Sequence, residues 1–270
     1  GINVEMGIFM SYIGLESYVT QENWCYQRST ICEFTPFYFS GARLQVYPTK
    51  NFKTELWLLN GWQSYNAWNN SLGIGSSNYY RPHENLQLVA NFYLGKDSKI
   101  GTTRFHHDNS VLYRYLPKSK GKISQAAFCL NTHYGFEGTN NIVGAALSHR
   151  LWFHNNKLAW TLRVDALKNK GAYLAIAPCT QELNPYNIAL STMSNPSLNI
   201  TQLTSTIDIM PNDFYTLRLE YSYRNSNIPY FAGAGGTTSP DGWQQTPLVN
   251  WMPDLQKNNH SLRVAVNFRL

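Results

Sequence analysis

Along much of this chain apolar and polar residues alternate with a period of two. In 214–224, Tyr215, Leu217, Leu219, Tyr221 and Tyr223 share one face of an extended segment, opposite Thr216, Arg218, Glu220, Ser222 and Arg224. A helix would scatter that apolar set around its circumference. The same alternation recurs at 158–167, where Leu162, Val164 and Ala166 oppose Thr161, Arg163 and Asp165. At 85–95, Leu86, Leu88, Ala90, Phe92 and Leu94 oppose Gln87, Asn91 and Tyr93. The pattern predicts strands near 4–13, 37–47, 54–62, 85–95, 103–116, 123–136, 142–153, 158–167, 172–177, 203–210, 214–224 and 261–270. No composition shift marks a linker, so 1–270 reads as one domain.

Alternation suits a soluble sandwich as well as a membrane barrel, because both bury one face of each strand. Loop lengths separate the two. The long connections, 14–36, 63–84, 178–202 and 225–260, all follow odd-numbered strands, while the intervening ones at 48–53, 96–102, 168–171 and 211–213 are short. Every long loop therefore lies at one end, the asymmetry of an outer-membrane barrel with long external loops and short periplasmic turns. The last strand alternates Leu262, Val264, Val266, Phe268 and Leu270 with Arg263, Ala265, Asn267 and Arg269. An unpaired edge of that kind is an aggregation template unless closure pairs it. The fold class expected is all-β, a transmembrane antiparallel up-and-down β-barrel of about twelve strands.

Composition sharpens this. Only 14% of residues are charged, against roughly 25% in soluble domains, and the chain holds 18 Tyr, 8 Trp and 13 Phe. Mean hydropathy is −0.36 and no apolar run is long enough for a spanning helix, so any membrane crossing is made by strands. The net charge is +6, but the basic residues are scattered along strands rather than gathered in a patch, which argues against nucleic acid as a partner. Cysteines stand at 25, 32, 129 and 179 without CxxC or zinc-like spacing. Cys25 and Cys32 share one loop and are equally compatible with a local disulfide and with two free thiols. No signal peptide is visible from Gly1 onward.

Segment 4–63, with VEMGIFMSYIGLESY, NWCYQRS, FTPFYFSGARLQVY and LWLLNGWQ, resembles the β-barrel porin-2, or OmpL-like, outer-membrane family, which carries a GIF strand, an NW then RS loop, an SP/TP-Y strand start and an LNGWQ strand end in this order. Over the remainder the resemblance rests on the strand rhythm, RLEYSYRNSN at 218–227 and the final strand. It implies an outer-membrane location and a channel. Family members carry further strands ahead of the GIF strand, which here begins at residue 7. The expectation is therefore that an N-terminal portion is missing and that 4–13 and 261–270 are not partners in the intact protein; a mass measurement giving a mature start at Gly1 would defeat it.

The residues expected to line a pore are Arg43, Arg114, Arg163, Arg218, Arg224 and Arg263, with Glu55, Asp165 and Glu220. Their positive excess predicts a weak anion preference. The competing structural role is a ladder in which Arg163 with Asp165, and Arg218 with Glu220, satisfy one another. No catalytic residue, metal ligand set or cofactor motif is expected: GxSxG, HExxH and the P-loop are absent. Of the cluster His106, His107 and Asp108, adjacent side chains on a strand point to opposite faces, so only His106 and Asp108 can meet. The Gly-rich stretch 225–243 reads as an exposed loop, or as one folded inward as a constriction. Tyr215, Tyr221, Tyr223 and Phe153 are expected in interfacial girdles facing lipid.

The function these readings favour is a passive porin-like channel for small hydrophilic solutes. The alternative is a non-conducting barrel whose long loops bind a surface ligand or partner, and a lipid hydrolase is disfavoured because no Ser, His and Asn set assembles. Partners expected are outer-membrane lipids and lipopolysaccharide, the assembly machinery through the C-terminal strand, and small solutes.

Overall fold

In the computed structural model of the chain, residues 1–65, 71–96, 102–171, 173–174, 197–236 and 254–268 are described. The strands are β1 (Ile2–Met10), β2 (Tyr38–Thr49), β3 (Phe52–Leu59), β4 (Gly73–His83), β5 (Leu86–Lys96), β6 (Thr103–Leu116), β7 (Ile123–Glu137), β8 (Asn140–Phe153), β9 (Leu158–Lys170), β10 (Ser197–Ile209) and β11 (Tyr215–Ser226). Two short strands, β12 (Phe231–Ala232) and β13 (Leu255–Gln256), pair with each other, and β14 (Asn258–Phe268) follows. The first eleven strands and β14 form one antiparallel sheet in which sequence neighbours are spatial neighbours. This is the up-and-down order the alternation predicted. β1 and β14 are the two edges, with no ladder between them among the described residues.

The expected strand at 172–177 is corrected in part: Tyr173 and Leu174 are not in a strand, and the rest of that segment lies outside the described residues. Conversely, β4 falls where a long loop was expected. Its inward positions Gly73, Gly75 and Ser77 are small, so no period-two signal survives there. A side chain at Gly75 would collide with the Tyr12 hydroxyl, and one at Gly73 with the Tyr93 ring. Those positions are hollow because rings fill the space in front of them. The two discrepancies offset in number, so the count of twelve holds, but every strand from 85–95 to 158–167 runs opposite to the expected direction, and the C-terminal ends of β5 and β9, expected at the short-turn side, stand at the long-loop side. The strand ends that bound the connections 11–37, 60–72, 171–196 and 227–257 all stand at one end, and the two-residue turns 50–51 and 84–85 at the other.

The outward face is apolar and exposed. On β1, Ile2, Val4, Met6, Ile8 and Met10 face outward, Met6 at 83% exposure, and on β14 so do Leu262, Val264, Val266 and Phe268. A band of this extent around a sheet exceeds what soluble monomers expose. Tyr113, Tyr115, Trp160, Tyr215 and Phe268 stand toward its short-turn side, Tyr134 and Phe136 toward its long-loop side. No described helix is long and apolar enough to cross a membrane.

Candidate pore interior

The opposite face of the sheet is polar and enclosed, and the connection 11–37 fills it. This segment contains a 3-10 turn (Thr20–Glu22) and the short helix α1 (Thr30–Glu33). It meets the inward side of every strand from β5 to β11. The Tyr12 hydroxyl donates to the Phe92 carbonyl (2.9 Å) and the Gly14 amide to Asp108 Oδ1 (3.3 Å). Cys32 Sγ lies 3.3 Å from Asn131 Oδ1, and Arg150 donates to the Trp24 carbonyl at 3.2 Å. Thr30 donates its amide to Asp165 (2.9 Å) and its hydroxyl to Gln202 (3.0 Å). Arg218 donates to the carbonyls of Thr20 and Asn23, while the amides of Tyr26 and Gln27 donate to Glu220. Backbone groups without a helix or ladder of their own must find partners, and here the wall's side chains supply them.

Charges on the wall are matched one to another. Arg163 is 1% exposed and bridges Glu16 of the connection (2.7 Å) and Asp165 (3.1 Å). Arg218 pairs with Asp208 on the next strand (2.6 Å), which Arg150 also approaches at 2.7 Å. The two expected ladders therefore part company: Arg163 and Asp165 do pair, whereas Glu220 is taken by Arg263 (3.5 Å), the Thr206 hydroxyl and the connection's amides. Arg43 pairs with Glu5, lies 3.9 Å from Glu55 and covers the Trp57 ring; Glu55 also accepts from Gln45 and Lys53. Two of the nine expected residues have only neutral partners among the described residues. Arg114 donates to Asn85 Oδ1 (3.0 Å) and Arg224 to Asn259 Oδ1 (2.8 Å).

All nine expected residues therefore stand on the inward face. Sequence reasoning passed over Arg104, which has the parity of Arg114 on the same strand, and Glu137, Arg150 and Asp208, which lie on strands where it picked no residue. It also missed Glu16 and Arg28, which lie in a segment with no periodicity. Arg28 is buried, sits over the Tyr18 ring at 3.8 Å and donates to Thr35 and to the Cys32 carbonyl; its Nε and Nη1 have no hydrogen-bond partner among the described residues.

His106 and Asp108 point inward and His107 outward, as the strand period requires. Asp108 accepts from Asn91 and from the Gly14 amide, while His106 belongs to a directed chain of hydrogen bonds. Asn131 Nδ2 donates to the Asn109 carbonyl, which fixes Oδ1 as an acceptor for His133 Nε2 at 2.7 Å. His133 Nδ1 must then accept from His106 Nε2 (3.0 Å), leaving His106 Nδ1 to accept from the Tyr173 hydroxyl (2.8 Å). Each ring carries one proton, and the chain ties the β9–β10 connection to the β6–β7 wall. Among the described residues no group of three or more His, Cys, Asp or Glu is placed to hold a metal ion.

Cys25, Cys32 and Cys129 are free and buried, so of the two states open for Cys25 and Cys32 the structure has the thiols; Cys179 lies outside the described residues. Burial pushes the Cys25 thiol up to about 11. In the stretch 225–243, Asn225 and Ser226 end β11, and Ile228 and Phe231 are buried against Ile31 and Cys32 rather than exposed; 237–243 lies outside the described residues. Ile31 reaches the wall because Gly144 opposite it has no side chain: a Cβ there would lie 2.8 Å from Ile31 Cδ1.

Free space remains beneath the connection. A cavity of about 540 Å³ opens at the short-turn end, lined among others by Trp24, Arg150, Asp208 and Arg218. Trp24 also borders cavities of about 230 Å³, beside Arg114, and about 150 Å³, beside Glu16. The interior is thus a charge-lined vestibule narrowed from above by one inserted segment.

Residues 1–250 match the family described as "Putative beta-barrel porin-2, OmpL-like". No curated protein matches the chain.

Proposed function

This chain belongs to the OmpL-like β-barrel porin-2 family, and on that premise we propose that it is an outer-membrane channel for passive diffusion of small hydrophilic solutes, in which the connection 11–37 forms the constriction. The observation that carries the reading is the pairing of an exposed apolar outer face with a polar interior whose cavities open at the short-turn end and converge on Trp24. Most interior charges neutralise each other, so selectivity is weak. Its sign comes from Arg114 and Arg224, whose described partners are all uncharged, and an anion preference follows.

Single-channel conductance of the purified protein in a planar bilayer, under a salt gradient, tests this. Small discrete openings with a reversal potential on the anion side support it. A folded, inserted protein that stays silent, both as the wild type and with Arg163→Ala to loosen the inserted segment, overturns it and leaves the external loops as the place to look for a ligand or partner. On the same reading the outer face meets outer-membrane lipid and lipopolysaccharide, and the C-terminal strand is what the assembly machinery engages.

A further inference from the structure

On the outward face, three successive cross-strand rungs can be followed from β6 to β10. The one nearest the middle of the apolar band is Val111, Leu130, Leu147, Val164 and Leu203. Next toward the long loops come Asn109, Thr132, Ala145, Ala166 and Thr201, and beyond them His107, Tyr134, Val143, Lys168 and Asn199. The middle rung is small between two bulkier ones, and the result is a groove of about 620 Å³ in the outer wall. It lies where the band passes from apolar to polar, the depth at which a lipid changes from acyl chain to headgroup.

Charge on this face is one-sided. Every aspartate and glutamate in the twelve main strands faces inward, and the outward cations of the strands, Lys96, Lys168 and Lys170, all stand at the long-loop ends of β5 and β9. Lys168 is exposed beside the groove and makes no ion pair among the described residues. Asn199, on the same rung, has a buried Oδ1 without a hydrogen-bond partner among the described residues, an acceptor waiting for a donor.

We propose that this groove is a binding site for one membrane phospholipid of net negative charge, its acyl chains along the Ala145 and Ala166 floor and its phosphate at Lys168. The Thr132 and Thr201 hydroxyls lie at the height of the ester carbonyls, and Asn199 Oδ1 takes a hydroxyl hydrogen of the headgroup. A second copy of the chain is the poorer occupant, because the outer face of its described strands offers no carboxylate to meet Lys168. The proposal rests on the reading of the outer face as membrane-exposed, but not on conduction.

The test is native mass spectrometry of the detergent-purified chain titrated with phosphatidylglycerol and, separately, phosphatidylcholine, for the wild type and for Lys168→Ala and Ala166→Phe. One tightly held phosphatidylglycerol is expected, weakened about fivefold by Lys168→Ala and excluded by Ala166→Phe, whose ring occupies the groove from an outward position. Equal retention of both lipids, or no change in either variant, overturns the site. Displacement by inorganic phosphate assigns a simple anion site instead, and a dimer that dissociates on Ala166→Phe assigns the groove to a second copy. Flotation of the same samples with vesicles is scored separately. A chain that does not float defeats the membrane reading, whereas one that floats without lipid preference defeats this site alone.

Discussion

The inserted segment is held by two kinds of wall. On the β2–β5 side its start is clamped by rings: Tyr12 stacks on Phe39 and Trp57 at 5.0 and 4.8 Å, and Ile13, Leu59 and Tyr93 close the same cluster. On the β8–β11 side the remainder is held by Arg150, Arg163, Asp165, Arg218 and Glu220 through ion pairs and bonds to backbone groups. Aromatic contacts are insensitive to salt and pH, whereas ion pairs and their bonds depend on every partner staying charged. A segment anchored at one end by rings and along its length by charge will, when it moves, swing on the aromatic end.

The largest break in that comparison is Arg163→Ala. It leaves buried Asp165 and half-buried Glu16 without their cation, a loss of about 3–5 kcal/mol, confined to the ionic side. Conductance should rise and Cys25 should become reactive to maleimide while the Tyr12 cluster stays packed. Unchanged conductance together with a protected Cys25 would mean that the ionic side does not hold the segment.

Gly75→Val attacks the other wall. The new side chain occupies the site of the Tyr12 hydroxyl, and overpacking of this kind costs about 1–3 kcal/mol. Thermal unfolding should shift downward, and the start of the connection, not its charged portion, should loosen. If Cys25 labels as fast in this variant as in Arg163→Ala, the two walls act as one unit and the hinge is wrong.

These two walls were not equally legible in the sequence. The outward apolar positions of β9, β11 and β14 and the inward arginines among them are explicit, because alternation and face go together on a strand. β4 was invisible for the reason that makes Gly75→Val informative: its inward positions are emptied to accept rings from elsewhere, so its own residues carry no pattern. The inserted segment was equally silent. Glu16, Arg28 and the Cys25 and Cys32 thiols acquire their roles from strands far away in the chain, and no local spacing encodes that. The Gly-rich stretch left two readings open, exposed or folded inward, and only Ile31 and Cys32, far away in the chain, decide for its described part, where Ile228 and Phe231 pack against them.

A smaller effect concerns pH. Burial raises the Cys25 thiol to about 11, above an ordinary thiol at about 8.5, so the folded state holds this proton more tightly than the unfolded chain. The contribution is complete below the ordinary thiol range and is lost as pH rises through about 11. Wild-type stability should therefore fall on the alkaline side more steeply than that of Cys25→Ser, in denaturant titrations at pH 7 and pH 10. Parallel curves for the two proteins would show that Cys25 is not enclosed as described.

The smallest effect sharpens the comparison most, because it removes charge that neither wall uses to hold the segment. Arg114 and Arg224 have neutral described partners, so truncating them disturbs no ion pair, and as partly buried side chains bonded to neutral amides they should change stability by about 0.5–1.5 kcal/mol at most. Arg114→Ala with Arg224→Ala should move the reversal potential toward neutrality while the conductance step changes little. Lys53→Ala, removing a cation already paired with Glu55 at 2.8 Å, should not move it toward neutrality. If the paired and the unpaired cations shift the reversal potential alike, then ion pairing on the wall does not screen permeating ions, and the excess of arginine itself, as counted along the sequence, sets selectivity.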